Sequence, residues 1–96
     1  MDIIIGIDVS GSVRREYLPN VTEFIGNVVD DLEVGPDKTR VAAVYFSDQA
    51  YLLFNFTRFS SKQDVIYAIK HTPYIGGRTN SAAALQLMVL THTLSV

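Results

Sequence analysis

Cysteine is absent from the 96 residues, so disulfide scaffolds and cysteine-bearing metal sites are excluded at once. No apolar run approaches the roughly 18 residues that a membrane-spanning helix needs, so membrane insertion is not expected. Positive charge is sparse: ten acidic residues outweigh eight basic ones, for a net charge of -2. Arg14-Arg15 is the densest basic feature, too little for the basic face of a nucleic-acid-binding module. No basic segment precedes the first apolar run after Met1-Asp2, so the sequence shows no secretory signal peptide. His71 and His92 each lack a second imidazole at ligand spacing and read as surface or helix-end residues. Internal repeats and low-complexity tracts are likewise absent. What is present is a chain 48% apolar and 19% charged, which suits one small core-forming domain rather than a disordered segment.

The first apolar run, Asp2 to Val9, is short, β-branched and continuous, as in a strand buried on both faces. Small and polar residues from Ser10 to Arg15 read as a loop. From Leu18 the apolar positions recur at helical spacing (Val21, Phe24, Ile25, Val28, Val29, Leu32), with Pro19 in the first turn. Gly26 costs that helix about 1 kcal/mol relative to Ala, which burial must offset. Gly35-Pro36 breaks the chain before a second strand, Arg40 to Phe46. Ser47-Asp48-Gln49 is too short for anything but an antiparallel hairpin to a third strand, Ala50 to Phe56. Tyr45, Tyr51, Phe54 and Phe56 belong to core or cross-strand packing. Ser60 with Gln63 resembles a capping box, and Val65, Ile66 and Ile69 give the next helix its apolar side. A last helix begins near Thr79 to Ser81, with Ser81 as its cap, and runs through Met88. The order β-α-β-β-α-α predicts an α/β fold: a Rossmann-like, doubly wound sheet cut to three strands and about three helices.

The chemistry concentrates in Asp8-Val9-Ser10-Gly11-Ser12, directly after the first strand. In open α/β sheets, ligands bind beyond the carboxyl ends of the strands. A carboxylate and two hydroxyls at alternate positions there can turn their oxygens toward one point. Oxygen-only donors suit a hard cation, Mg²⁺ or Mn²⁺ before zinc or copper. One carboxylate leaves a divalent ion undercompensated, so the site still attracts an anion. Aspartate and serine after a strand also make local turns with their own backbone, and the triplet alone serves either purpose. A second glycine turn, Gly76-Gly77-Arg78-Thr79-Asn80-Ser81, offers a further hydroxyl.

In combination, Asp8-x-Ser10-x-Ser12, the Gly-Pro-Asp-Lys-Thr-Arg-Val run at 35–41, Phe46-Ser47-Asp48 and Gly76-Gly77-Arg78-Thr79-Asn80 resemble a von Willebrand factor A domain. The flavour is that of matrix and collagen-associated members, and the similarity covers residues 2 to 88 within a partial domain of 2–96. The resemblance implies a metal-ion-dependent adhesion site. Asp8, Ser10, Ser12 and Thr79 match its metal positions, and Gly11, Gly77 and Arg78 line the ligand side. The metal shell is completed by an acidic group of the bound protein, here a matrix protein or collagen, outside the cell. The family continues through further strands, with another site aspartate, so Mg²⁺ or Mn²⁺ is expected to bind weakly or not at all in this shorter chain. The residues from Val89 to Val96 depart from the pattern. The doubly wound order puts the first strand at the sheet's centre, so here it exposes an apolar edge open to self-association. Two other readings keep the fold: an intracellular assembly scaffold, and a fragment without binding activity. A phosphoryl-transfer enzyme is a further reading that the sequence disfavours, because the position two residues after Asp8, where it needs an acid/base carboxylate, is Ser10. Asn55-Phe56-Thr57 and Asn20-Val21-Thr22 fit the N-glycosylation sequon, which matters only in a secreted chain.

Overall fold

A computed structural model describes residues 1–94, and of Leu94 the backbone only. Strand β1 (Asp2–Asp8) leads through a 3₁₀ turn (Arg15–Tyr17) into helix α1 (Leu18–Asp30). Strands β2 (Arg40–Phe46) and β3 (Ala50–Phe54) follow, then helices α2 (Lys62–Lys70) and α3 (Ser81–Leu94). β1 and β2 run parallel, from Asp2 opposite Arg40 to Asp8 opposite Phe46. β2 and β3 form the antiparallel hairpin that the three-residue link dictates, with a register shift between Ala43 and Val44. The strand order is β1-β2-β3, a small mixed sheet.

The two faces of the sheet are covered unequally. Ile7, Val9, Val41 and Ala43 project to one side and are buried with Leu18 and Val29 of α1 and Val65 and Ile69 of α2. On the other side α3 brings Met88 against Gly6, where a Cβ would stand 3.4 Å from its sulfur. This alternation is the two-residue period of a strand between helical layers. The loop that follows β1 and the loop that precedes α3 meet beyond the carboxyl end of β1.

Several local expectations are corrected. β1 is not buried on both faces: Ile7 is buried while Ile3, Ile4 and Ile5 are only half-buried, because the strand lies at the sheet's edge. α1 buries Leu18, Thr22, Gly26 and Val29, whereas Phe24 is 68% exposed and Val28 47%. Its packing partner is α2, and at Gly26 a Cβ would meet Ile66 at 3.5 Å and Lys70 at 3.6 Å. Small residues are needed where two helices approach, so the largest apolar side chains of α1 turn away. α1 also ends before Leu32, with Asp31 as its C-cap. β3 ends at Phe54, because Asn55 turns the chain by accepting the Thr57 N–H at 3.1 Å. The expected capping box at Ser60 does not form; Ser61 is the N-cap of α2 and makes no side-chain cap bond. At α3 the cap is Asn80 rather than Ser81, its Oδ1 accepting the Ala83 N–H at 3.0 Å. α3 continues through Leu94, and the remainder of the 89–96 tail lies outside the described residues.

Candidate functional site

The site is built where β1 ends. Val9 prolongs the ladder by donating its N–H to the Phe46 carbonyl at 2.9 Å, which carries the parallel pairing one step past Asp8. Asp8 Oδ1 then accepts the Ser10 N–H at 2.8 Å and the Ser10 hydroxyl at 2.5 Å. The turn that follows is closed by the Val13 N–H on the Ser10 carbonyl at 3.0 Å. Ser10 is fully buried, while Ser12 stands at the surface with its hydroxyl 2.7 Å from that of Ser10 and 3.3 Å from Asp8 Oδ2.

Thr79 arrives from the far side of the sequence. Its Oγ1 lies 2.6 Å from Ser10 Oγ, 69 residues away, and 3.1 Å from Ser12 Oγ. Asp8, Ser10, Ser12 and Thr79, the four residues singled out as metal ligands, are therefore brought into one cluster of side-chain oxygens. Among the described residues no group of three or more His, Cys, Asp or Glu side chains could hold a metal, so this hydroxyl-rich set differs from a carboxylate or imidazole cage. Its chemistry fits a hard divalent cation: every donor is oxygen, and one carboxylate supplies the charge. Three hydroxyls and a carboxylate this close hold each other by hydrogen bonds.

The two loops are joined largely through backbone. Gly76 donates its N–H to the Val9 carbonyl at 2.7 Å, and Gly11 donates its own to the Gly77 carbonyl at 2.8 Å. A Cβ on Gly11 would come within 3.2 Å of that carbonyl oxygen. Gly76 and Gly77 both adopt φ of +79°, the left-handed region that glycine enters without steric cost. Arg15 braces the same junction, its guanidinium 4.9 Å from the centre of the Tyr74 ring.

Asp48, in the β2–β3 turn, has a part that sequence reasoning missed. Its Oδ1 accepts the Arg78 N–H at 2.7 Å, and its backbone carbonyl accepts Asn80 Nδ2 at 3.3 Å. The neighbouring Ser47 carbonyl accepts the Asn80 N–H at 2.8 Å. The Ser47-Asp48 pair was visible in the family-like motif, but a contact spanning 30 residues leaves no trace in local spacing. Gly11 and Gly77 serve here as the loop-to-loop contact. Arg78 is exposed and lines an open depression with Asp48, Thr79 and Asn80.

The remaining candidates lie elsewhere. Asn55 is exposed at the end of β3, its Oδ1 held by the Thr57 N–H and hydroxyl, both at 3.1 Å. Asn20 is exposed in the first turn of α1. His71 closes α2, with Nδ1 2.8 Å from the Tyr67 carbonyl, and His92 lies edge-on to Phe56.

Comparison with known proteins bears on this arrangement. A family model for the von Willebrand factor type A domain matches residues 2–95. The human collagen alpha-6(VI) chain is 38% identical over 84 residues, which cover 88% of this chain and 4% of the relative. Human vitrin is 36% identical over 84 residues, again 88% of this chain and 12% of the relative. The chain thus spans a small fraction of the length of the relatives it matches. Among solved structures, proximal thread matrix protein 1 from the mussel byssus superposes with a TM-score of 0.84 at 34% identity, over 93% of this chain and 24% of that one. A further structure of that protein, with a zinc-occupied MIDAS motif, superposes with a TM-score of 0.82 at 33% identity, over the same shares of the two chains.

Proposed function

The chain belongs to the von Willebrand factor type A domain family, and from that premise we propose that it is a divalent-cation-dependent protein-binding module that takes a carboxylate of its partner. The observation that carries the reading is the convergence of Asp8, Ser10, Ser12 and Thr79 side-chain oxygens from two loops 67–69 residues apart. A local-turn role for the first loop accounts for the Asp8–Ser10 bonds. It does not account for a threonine brought from the other end of the chain to the same point.

Asp8, Ser10, Ser12 and Thr79 would hold the ion, Mg²⁺ or Mn²⁺ by the hardness of the donors. When bound, the ion supplies a positive charge that one carboxylate leaves uncompensated, which favours an anionic oxygen from outside. Ser12 and Thr79 are exposed and would form the rim that an incoming side chain meets. Arg78 beside them adds an exposed cation, and Gly11 keeps the loop free of side-chain bulk at the approach. The phosphoryl-transfer alternative is disfavoured by Ser10, which occupies the acid/base position and donates a hydrogen bond from its hydroxyl to Asp8. A collagen chain and a thread matrix protein among the similar proteins support an extracellular partner of matrix type. The zinc-occupied motif of the mussel protein supports a cation at this place in the fold.

The test is a thermal melt of the chain in EDTA and then with Mn²⁺, Mg²⁺ or Zn²⁺. An ion that binds only the folded state adds about 2.7 kcal/mol at a hundredfold excess over its dissociation constant. On a domain of this size that raises the midpoint by roughly 10 °C or more. The rise is expected with the wild type and absent from Asp8→Ala. Identical melts with and without every ion would end the proposal.

A further inference from the structure

We infer that Asp48 is a positioning residue of the cation site, fixing Thr79 against the first loop through the backbone it grips. The inference rests on the metal reading above and adds a residue that reading does not use. Thr79 has no local reason to stand 2.6 Å from Ser10; its place depends on whatever secures residues 76–80. Several of those attachments are main chain to main chain: Gly76 to Val9, Gly77 to Gly11 and Asn80 to Ser47. They define the path of the loop at its two ends but leave Arg78, the residue immediately before Thr79, to another partner. That partner is the Asp48 carboxylate, whose Oδ1 takes the Arg78 N–H at 2.7 Å.

The fit is close on the other side as well. A Cβ built on Gly77 would stand 3.1 Å from Asp48 Oδ2 and 3.4 Å from both Oδ1 and Cγ. The carboxylate thus fills the space that a side chain at position 77 would need. It reaches Arg78 only because Gly77, at φ +79°, presents bare backbone. Two consequences follow from this geometry. An acceptor oxygen is required at that reach, but its charge is not, since its partner is a neutral amide. A side chain one methylene longer carries its acceptor oxygens away from that position.

Asp48 and Arg78 are both exposed, so water replaces the lost partner and folding is little affected. What is lost is order in the segment that carries Thr79. Groups that orient metal ligands commonly cost about 10–100-fold in affinity when removed.

The experiment titrates Mn²⁺ into the chain by calorimetry for wild type, Asp48→Ala, Asp48→Asn and Asp48→Glu, with amide hydrogen exchange at Arg78 measured in EDTA. Asparagine keeps the oxygen and removes the charge; glutamate keeps the charge and misplaces the oxygen. Asp48→Ala and Asp48→Glu are expected to weaken Mn²⁺ binding by about 10–100-fold and to speed Arg78 exchange, while Asp48→Asn stays near wild type in both. Mn²⁺ affinity that survives Asp48→Ala, or that falls as far in Asp48→Asn as in Asp48→Ala, overturns this proposal alone. Should Asp48→Ala fail to fold, the asparagine–glutamate contrast decides: affinity that follows charge rather than acceptor position overturns it. A wild-type chain that takes up no Mn²⁺ overturns the metal reading and this one with it.

Discussion

Asp2 and Arg40 face each other at the first register position of the β1–β2 pair. The guanidinium grips both carboxylate oxygens, Nε on Oδ1 at 2.9 Å and Nη2 on Oδ2 at 2.6 Å. Bidentate geometry makes this fork the strong form of a surface ion pair. The hydrogen bond from Arg40 and then its charge hold the Asp2 carboxyl below its ordinary value of 3.8 against the opposing effect of desolvation. A carboxylate depressed in the folded state stabilises it above the unfolded value, and that contribution is lost as pH falls through the folded one. Asp2→Asn is therefore expected to lower the midpoint of thermal unfolding at neutral pH. The difference from wild type should close as pH drops below 3.8 toward the folded-state value. A constant difference between the two across that window would show that the pair contributes through packing and not through charge. Exposure keeps the effect small, as for other surface pairs.

Among the elements, the helices carry the clearest contrast between apparent and actual burial. Ile69 of α2 is fully buried among Ile7, Val65 and their neighbours, whereas Phe24 of α1 is 68% exposed. Ile69→Ala is expected to cost about 2–5 kcal/mol by lost transfer energy and the cavity left behind. Phe24→Ser is expected to change stability by about 0.5 kcal/mol or less. Chemical denaturation of the two variants measures both, and a large loss at Phe24 would mean that α1 packs on its other face. Helical spacing announced α1 and its length because its apolar residues are large and frequent. It misassigned part of the buried stripe, because Thr22 and Gly26 are buried beside Leu18 and Val29 and no hydrophobic count selects them. The hairpin was readable for a stronger reason, since a three-residue link admits one geometry. Caps were displaced by a residue, at Ser61 and Asn80, where neighbouring polar residues compete for the same backbone donors. In the site, Asp8, Ser10 and Ser12 were visible as alternate oxygens after a strand. Thr79 was singled out among the hydroxyls of the second glycine turn only through family likeness. Asp48 stood in a family-like motif without a role, because that role depends on a bond across 30 residues.

At the scale of the whole molecule, the sheet has two edges of unequal hazard. β3 is five residues long and its pairing with β2 carries a register shift, two features that blunt an edge. β1 is seven residues long, pairs with β2 in unbroken register, and presents Ile3, Ile4 and Ile5 half-buried beside a free row of backbone groups. Proline and lysine, the usual guards, are missing from it. The neighbouring helix adds to the same problem: Leu85, Val89 and Leu90 of α3 are 63%, 57% and 55% exposed. An apolar helix and an unguarded strand edge on one small chain favour pairing between copies. The mass in solution is expected to rise above the 10.7 kDa monomer as concentration climbs through the micromolar-to-millimolar range. Ile4→Lys sets a charge on the edge without touching the metal site, and is expected to hold the chain at monomer mass while leaving its Mn²⁺ response intact. Light scattering on eluting chromatography peaks reads both variants. A wild type that stays monomeric throughout would mean that the edge is sterically guarded by its own loops. Oligomers that persist in Ile4→Lys would move the contact to the exposed face of α3.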